Sequence, residues 1–241
     1  VKVYVNAEKI ANTTYTGSTK NGPRTLLIGA NRDSSDNLQA FFNGTIDEVK
    51  IYNRALSSEE IYADYVNGCA AINASIALNY TRAVDSQDNG SVLYLKFDEN
   101  STSQQDYSRE GTNNATVYGA TYVSGFVGGA FSFDGVDDYV DAGDIDDAEG
   151  INQITVCAWA KFSDLTPNTA GECIVSKGGG SAPTDHWILW QRGVDSQVYF
   201  GIYVGGNLYK GGNYSLSDTD WHYFCGVYNS THVMLYVDGI L

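Results

Sequence analysis

Residues 42–57 read FNGTIDEVKIYNRALS, a stretch that predicts a β-strand running into a helix. Its first part is rich in β-branched and aromatic residues, so we predict one bent strand or a pair of strands from Phe41 to Tyr52. Neighbouring side chains on a strand point to opposite faces, and we therefore expect Asp47 and Glu48 to lie on opposite faces of the sheet.

The helix that follows begins with a recognisable cap. Ser57 precedes it and Glu60 occupies its third position, which is the spacing of a capping box. Ile61 and Tyr65 are four residues apart and share one helical face. We predict that the helix ends at the Asn-Gly pair of residues 67–68, because glycine commonly terminates helices.

The first and last strands of the chain are versions of one strand. The opening VKVYVN (1–6) and the closing VMLYVD (233–238) both fit the pattern V-x-[VL]-Y-V-[ND]. Such a duplication indicates one unit of a tandem array or a permuted domain. A simple permuted domain needs no second copy of the strand, so the duplication favours the array.

Composition and spacing predict an all-β protein. The chain has 241 residues, with 18 Tyr, 9 Phe and 26 Gly but 3 Pro, which suits many short strands joined by tight turns. Its net charge of −15 argues against binding to nucleic acid or to an anionic membrane surface. Apolar segments at strand spacing follow residue 91, at 92–97, 130–133, 139–140, 154–162, 174–177, 187–190, 198–204, 221–228 and 233–237.

Four of these segments resemble a laminin-G-like domain, the concanavalin-A-like jelly roll close to the pentraxins. The motifs are FDGVDDYV (133–140), ITVCAWAK (154–161), WHYFCGVY (221–228) and LYVDG (235–239). Residues 42–57 resemble the closing strand and helix of the same family. The resemblance implies an antiparallel jelly-roll sandwich with one short helix.

In the order of that family, the chain presents its end first and its beginning second. We therefore divide it into residues 1–66, the C-terminal part of a sandwich, and residues 92–241, the N-terminal part. Nothing in the resemblance accounts for residues 67–91, which we interpret as a linker or an extended donor strand.

The resemblance also implies a disulfide. In pentraxins the two strands that match 154–161 and 221–228 are bridged, and Cys157 and Cys225 fall on those positions. Cys69 and Cys173 are then left to pair with each other by elimination, or to stay as thiols. Zinc binding is not expected, since there is no C-x-x-C spacing and the three histidines do not cluster.

Glycosylation motifs are unusually dense. Nine of the 19 asparagines stand in N-x-[ST] sequons, whereas chance in a chain rich in Ser and Thr predicts roughly three. Together with the paired cysteines, they indicate an extracellular or cell-surface protein; the alternative is that a Ser/Thr-rich surface creates sequons by accident. The sequons are those of Asn12, Asn43, Asn73, Asn79, Asn89, Asn100, Asn114, Asn213 and Asn229.

A cluster of acidic residues suggests a calcium site. Eight carboxylates fall within residues 134–149, a density that favours a hard cation or a solvated acidic loop. Related sandwiches hold a structural Ca²⁺ near their termini or at a loop edge, and by that resemblance Asp47 is a further ligand. The predicted metal ligands are Asp47, Asp134, Asp137 and Asp138.

No catalytic site is expected. A retaining jelly-roll glycosidase carries paired carboxylates on one strand, as in E-x-D-x-E, and the chain has no such strand. A sugar-stacking platform is a weaker possibility, since aromatic residues in strands more often belong to the core. Its candidate residues are Trp187, Trp190, Tyr199, Tyr203 and Tyr209.

Two functions follow from these observations. The first is a non-enzymatic repeat unit that joins identical units head-to-tail in a surface filament, where residues 1–66 of one unit complete the sandwich of the next. The alternative is a Ca²⁺-dependent glycan-binding or adhesin module, a function that the fold permits without deciding it.

Overall fold

The computed structural model describes residues 2–5, 8–12, 25–73, 90–109, 111–145, 148, 152–178, 186–204 and 207–241. Within these ranges it forms 19 strands and one α-helix. The elements are β1 (Lys2–Val5), β2 (Glu8–Asn12), β3 (Leu26–Ile28), β4 (Asn31–Arg32), β5 (Leu38–Gln39), β6 (Asn43–Tyr52), α1 (Ser58–Asn73), β7 (Ser91–Leu95), β8 (Ser103–Gln104), β9 (Ala115–Tyr118), β10 (Thr121–Ser124), β11 (Gly129–Asp134), β12 (Tyr139–Asp141), β13 (Ile154–Phe162), β14 (Glu172–Lys177), β15 (His186–Gln191), β16 (Gln197–Val204), β17 (Asn207–Ser215), β18 (His222–Tyr228) and β19 (Val233–Val237).

Most strands belong to two large antiparallel sheets. The seven-stranded sheet has the order β10-β11-β6-β13-β18-β19, and β7 also pairs with β6. The eight-stranded sheet has the order β17-β16-β15-β14-β3-β12-β9-β8. Two small hairpins, β1-β2 and β4-β5, pair with neither sheet. The prediction of an all-β jelly-roll sandwich with one helix is confirmed.

Strands from the early part of the chain lie in the middle of both sheets. β6 lies between β11 and β13, and β3 lies between β14 and β12. In the described structure, one chain therefore closes its own sandwich. The two segments that the sequence assigned to the end and the beginning of a domain meet through these strands.

Apolar side chains from the two sheets fill the space between them. The largest fully buried ones include Trp187, Phe42, Phe133, Phe200 and Phe224. Each fully buried aromatic side chain removes on the order of 150–250 Å² from water, so this core is the main source of stability. Smaller apolar clusters lie on the outer face of each sheet.

Helix α1 covers the outer face of the seven-stranded sheet. Its cap is the predicted one: the N–H of Glu60 donates to Ser57 Oγ at 3.3 Å, and the N–H of Ser57 donates to Glu60 Oε2 at 2.8 Å. The predicted end at residues 67–68 was wrong, because the helix continues to Asn73. A Cβ on Gly68 would come within 2.7 Å of Trp159 Nε1, so this glycine permits close helix–sheet packing.

A buried polar network fixes the helix to the sheet. Lys50 on β6 contacts Asp64 of α1 at 2.8 Å, and the hydroxyl of Tyr223 on β18 donates to the same carboxylate at 2.7 Å. Glu48 lies 3.9 Å from the Lys50 ammonium and accepts a hydrogen bond from the hydroxyl of Tyr94 on β7. The network spans three strands and the helix, so it orients α1 as well as stabilising it.

The four cysteines divide into one disulfide-bonded pair and two thiols. Cys157 and Cys225 are directly opposite in the β13–β18 pairing, with Cα atoms 4.1 Å apart, and they form a disulfide. Cys69 packs against the outer cluster of the seven-stranded sheet, whereas Cys173 is buried in that of the eight-stranded sheet. Because the sandwich separates these two sulfurs, the Cys69–Cys173 bond expected by elimination was wrong, and both residues are thiols.

Candidate functional site

The turn between β11 and β12 brings three aspartates together. Side-chain oxygens of Asp134, Asp137 and Asp138 lie within 4.8 Å of one another, with the first two residues exposed and Asp138 buried. Asp134 Oδ1 accepts the N–H of Val136 at 2.8 Å, and Asp138 Oδ2 accepts the N–H of Asp134 at 2.9 Å. Three of the four predicted metal ligands thus form one group, which we call the acidic turn.

The acidic turn concentrates negative charge. Burial, followed by repulsion from Asp134 and Asp137, raises the pKa of Asp138. Gly119, which directly follows β9, approaches so closely that a Cβ there would lie 1.9 Å from Asp138 Oδ1. Carboxylate oxygens in such a group are the donors that Ca²⁺ prefers, and a divalent cation would relieve their repulsion.

Asp47, the fourth predicted ligand, is not part of this group. It lies opposite Trp159 in the β6–β13 pairing, on the outer face of the seven-stranded sheet, and it is fully buried. Its Oδ2 accepts the N–H of Val127 at 2.9 Å, while its Oδ1 has no hydrogen-bond partner among the described residues. Burial is the main cause that raises the pKa of Asp47 to about 8, with repulsion from Glu48 and Asp98 adding to it.

Asp47 and Glu48 do not point to opposite faces of β6, as strand alternation predicted. Glu48 has a positive φ of 52°, and the register between β6 and β13 shifts at this point, so that two residues of β6 stand opposite one residue of β13 in a bulge. The bulge places Glu48 beside Lys50 and Tyr94 on the outer face, where Asp47 also lies. The bulge therefore turns the side chain of Glu48 to the face opposite the one that regular strand alternation predicts.

The five candidate platform aromatics are divided between the two faces of the eight-stranded sheet. Trp187 belongs to the central core and Tyr209 packs against it. Trp190, Tyr199 and Tyr203 lie in the outer cluster, but Trp190 and Tyr199 are only 8% and 7% exposed. These aromatics are therefore mainly packing residues, and the structure does not join them into an exposed sugar-stacking platform.

An exposed aromatic pair lies elsewhere on the same outer face. Tyr118 of β9 and Tyr139 of β12 are directly opposite, with ring centroids 4.7 Å apart and planes inclined by 13°. Tyr118 is 45% exposed. The sequence does not predict this pair, because an isolated Tyr in a short strand does not indicate which residue of another strand will lie opposite it.

Comparison with protein-family models gives one finding. The model Laminin_G_3, described as the concanavalin A-like lectin/glucanases superfamily, matches residues 1–62 and 134–241. The chain belongs to this superfamily. Neither a search of curated proteins nor a search of solved structures found a match. The match covers most of the first predicted segment and the part of the second from residue 134 onward, and the superfamily agrees with the sandwich described above.

Because the superfamily includes glucanases, pairs of carboxyl groups are candidate catalytic residues. Asp47 and Glu48 are adjacent on one face, yet Asp47 has no exposed surface and Glu48 is 7% exposed. Glu172 on β14 is also buried, and burial raises its pKa to about 7. A glycosidase needs two carboxyl groups that flank an accessible sugar, and none of these three reaches solvent in that way.

A loop outside the matched segments is organised by one buried aspartate. Asp106 accepts hydrogen bonds from the N–H groups of Tyr94 and Ser108 at 3.0 and 2.9 Å, and from that of Asn113 at 3.1 Å. The loop surrounds an open, polar depression next to β8. Its lining residues are Glu99, Ser101, Ser103, Gln105, Gly111 and Asn114.

The predicted glycosylation sites differ in exposure. Asn100, Asn114 and Asn213 are exposed, whereas Asn43 and Asn229 are half-buried. The side chains of Asn12, Asn73, Asn79 and Asn89 lie outside the described part of the chain. Of the five sequon asparagines whose side chains are described, three are therefore exposed in the folded chain.

The described residues include no helix that is both long enough and apolar enough to span a membrane.

Proposed function

We propose that this chain is a non-enzymatic, extracellular repeat unit that joins identical units head-to-tail. The observation that carries the proposal is that one strand, followed by a tight turn, occurs twice. In β1-β2, Val5 pairs with Glu8, and after β19 the chain turns back so that Val237 pairs with Ile240, with two residues between the partners in each case. The two hairpins share the pattern V-x-[VL]-Y-V-[ND].

One sandwich has one place for this hairpin, next to β18, and β19 holds it here. The β1-β2 hairpin pairs with neither large sheet. We infer that β1 takes the place of β19 next to the β18 strand of an adjoining unit, on the same polypeptide or on a separate one, by strand exchange. A head-to-tail contact of this kind repeats without closing and so builds a filament.

Two further observations support an extracellular setting. The Cys157–Cys225 disulfide is suited to an oxidising compartment, and the exposed sequons offer glycan attachment sites. The burial of Asp47, Glu48 and Glu172 supports a non-enzymatic role, because none of the three can flank an accessible sugar. N-glycosylation is part of the proposal, and intact mass before and after removal of N-glycans would show how many sequons are occupied.

Electron microscopy of the native material is the experiment that tests head-to-tail assembly. We expect filaments with an axial repeat of one sandwich. A variant with Val3→Asp and Val5→Asp should yield single particles, since these residues match Leu235 and Val237 of the strand that pairs with β18. The matched control is Ile240→Asp, at a position 71% exposed, which should still assemble. Monodisperse particles of 26.2 kDa plus glycan from the unmodified chain would contradict the proposal.

Calcium binding at the acidic turn is a second part of the proposal. Asp134, Asp137 and Asp138 supply at least three of the six to eight oxygens that Ca²⁺ takes, with backbone carbonyls and water completing the shell. When bound, the ion would neutralise the charge of the turn that links the two sheets.

We expect Ca²⁺ to raise the thermal midpoint of unfolding, with a stabilisation of about 2.7 kcal/mol at a concentration one hundred times Kd. Asp137→Asn should abolish this shift, and Asp220→Asn, an exposed aspartate on another loop, should retain it. Circular-dichroism melts with Ca²⁺ or EDTA at constant ionic strength measure the effect. Equal midpoints in both solutions would remove calcium from the proposal.

Glycan binding is a second candidate function. Membership in a superfamily that includes lectins favours it, and so does the exposed Tyr118–Tyr139 pair. The two functions are compatible, because the tyrosine pair lies on the outer face of the eight-stranded sheet and the duplicated hairpin concerns the edge of the seven-stranded sheet.

A further inference from the structure

We propose that Tyr118 and the adjoining polar depression form a binding site for a neutral oligosaccharide. The inference rests on glycan binding, the second candidate function, and gives it a location. It is independent of head-to-tail assembly.

The first argument is the geometry of the tyrosine pair. Tyr139 covers one face of the Tyr118 ring, because the centroids are 4.7 Å apart and the planes are nearly parallel. Tyr118 nevertheless keeps 45% of its surface exposed. A rigid ring supported from one side and open on the other is suited to stack against the apolar face of a pyranose. Immobilising Tyr118 beforehand lowers the entropy lost on binding.

The second argument is that the depression lies beside this open ring. β8 pairs with β9 so that Ser103 is opposite Thr116, and the N–H of Val117 donates to the carbonyl of Thr102 at 2.8 Å. Continuing this register brings Ser101 level with Tyr118. Ser101 and Ser103 both line the depression, so Tyr118 stands between its supporting tyrosine and a surface of hydroxyl groups.

The third argument is the chemistry of the lining. Hydroxyl and amide groups of Ser101, Ser103, Gln105 and Asn114 offer both donors and acceptors, which match the hydroxyl groups of a sugar. Among the described residues that line the depression, the ionisable group is the carboxyl of Glu99, and the whole chain has a net charge of −15. Anionic sugars are therefore repelled, and the ligand class is neutral oligosaccharides.

The loop that forms the depression is rigidly held. Asp106 accepts three backbone N–H groups and a bond from Ser108 Oγ at 2.9 Å, and it is 1% exposed. Its own N–H donates to Asn114 Oδ1 at 3.0 Å, which fixes the side chain of Asn114 at the edge of the depression. The site is thus largely formed before any ligand arrives.

The experiment uses the full chain made in a host without N-glycosylation, so that Asn114 carries no glycan. Cellohexaose, chitohexaose and maltohexaose are titrated by calorimetry, with an oligogalacturonate as the anionic comparison. We expect millimolar or tighter binding of at least one neutral probe and none of the anionic one. Tyr118→Ala should weaken binding by about tenfold or more, and Tyr118→Phe, which keeps the ring, should stay close to the wild type.

Tyr62→Ala is the matched control, because Tyr62 is 54% exposed on α1, far from the eight-stranded sheet. Its affinity should equal that of the wild type. Neutral sugars that bind equally well to the Tyr118→Ala chain would overturn this site while leaving glycan binding in place. A wild-type chain that binds none of the three neutral probes would overturn both, and it would leave filament assembly to be judged by microscopy alone.

Discussion

Asp47→Asn is expected to remove a large part of the loss of stability that the wild-type chain undergoes as the pH rises from 4 to 8. The Asp47 carboxyl is fully buried, and its pKa is raised from 3.8 to about 8. In that interval the folded state keeps a proton that the unfolded state has released. The unfolding free energy therefore falls as the pH rises, and the contribution is fully present only below pH 4.

The expected size of this effect is large. Each pH unit between the two pKa values costs about 1.4 kcal/mol, so the full interval amounts to an upper bound on the order of 6 kcal/mol. The asparagine keeps an oxygen to accept the N–H of Val127, and it cannot ionise. Its amide nitrogen takes the position of Oδ1, which has no hydrogen-bond partner. Leaving this buried donor unpaired lowers the unfolding free energy by about 1–3 kcal/mol at every pH.

Urea unfolding at a series of pH values measures the difference between the variant and the wild type. That difference should grow in favour of the variant from pH 4 to pH 8 and then level off. Glu172 and Asp138 titrate in both chains, so their contributions cancel. Asp33→Asn is the control: its exposed carboxylate has a pKa lowered mainly by Asn37, so its loss cannot improve stability at high pH. Parallel curves for Asp47→Asn and the wild type would refute the assignment.

Removal of the disulfide has the second largest expected effect. The Cys157–Cys225 bond closes a loop with a sequence separation of 68 residues. By the chain-entropy relation, a loop of this length corresponds to about 4 kcal/mol, because the reduced unfolded chain is freer. The double variant Cys157→Ala, Cys225→Ala should lose about that much stability. The pairing register of β13 and β18 should stay the same, because it does not depend on the disulfide.

Urea unfolding of the double variant and of the wild type, at the same pH and without reductant, gives the measurement. Cys69→Ala is the matched control, since this thiol is partly exposed on α1 and takes no part in a disulfide. The unfolding free energy of the control should lie within about 1 kcal/mol of that of the wild type. A double variant as stable as the control would show that the unfolded chain gains no freedom when the bond is lost.

The sequence predicts the sandwich well because its signal is repeated many times. Alternating β-branched and aromatic residues mark nearly every strand, and an error in one of them leaves the fold class unchanged. The helix cap was predicted by the same kind of local chemistry, since Ser57 and Glu60 need only each other. The end of the helix depends on a distant residue: Gly68 looks like a stop signal, yet it serves the contact with Trp159.

The candidate sites were harder to predict, because they depend on where strands meet. Asp134, Asp137 and Asp138 are close in sequence and come together in the turn. Asp47 was added to them by resemblance, and the structure places it under the Val127 turn on another face. Tyr118 gave no signal at all, since its exposure follows from the pairing of β9 with β12.

The position of β6 has a consequence for synthesis of the chain. This strand leaves the ribosome before β11 and β13, its neighbours on either side in the sheet, have been made. Until then its apolar side chains have no sheet to join, and contacts over such long sequence separations form slowly. The nascent chain therefore carries an exposed, aggregation-prone strand until β13 has been made. Factors that hold chains unfolded would protect it during that time.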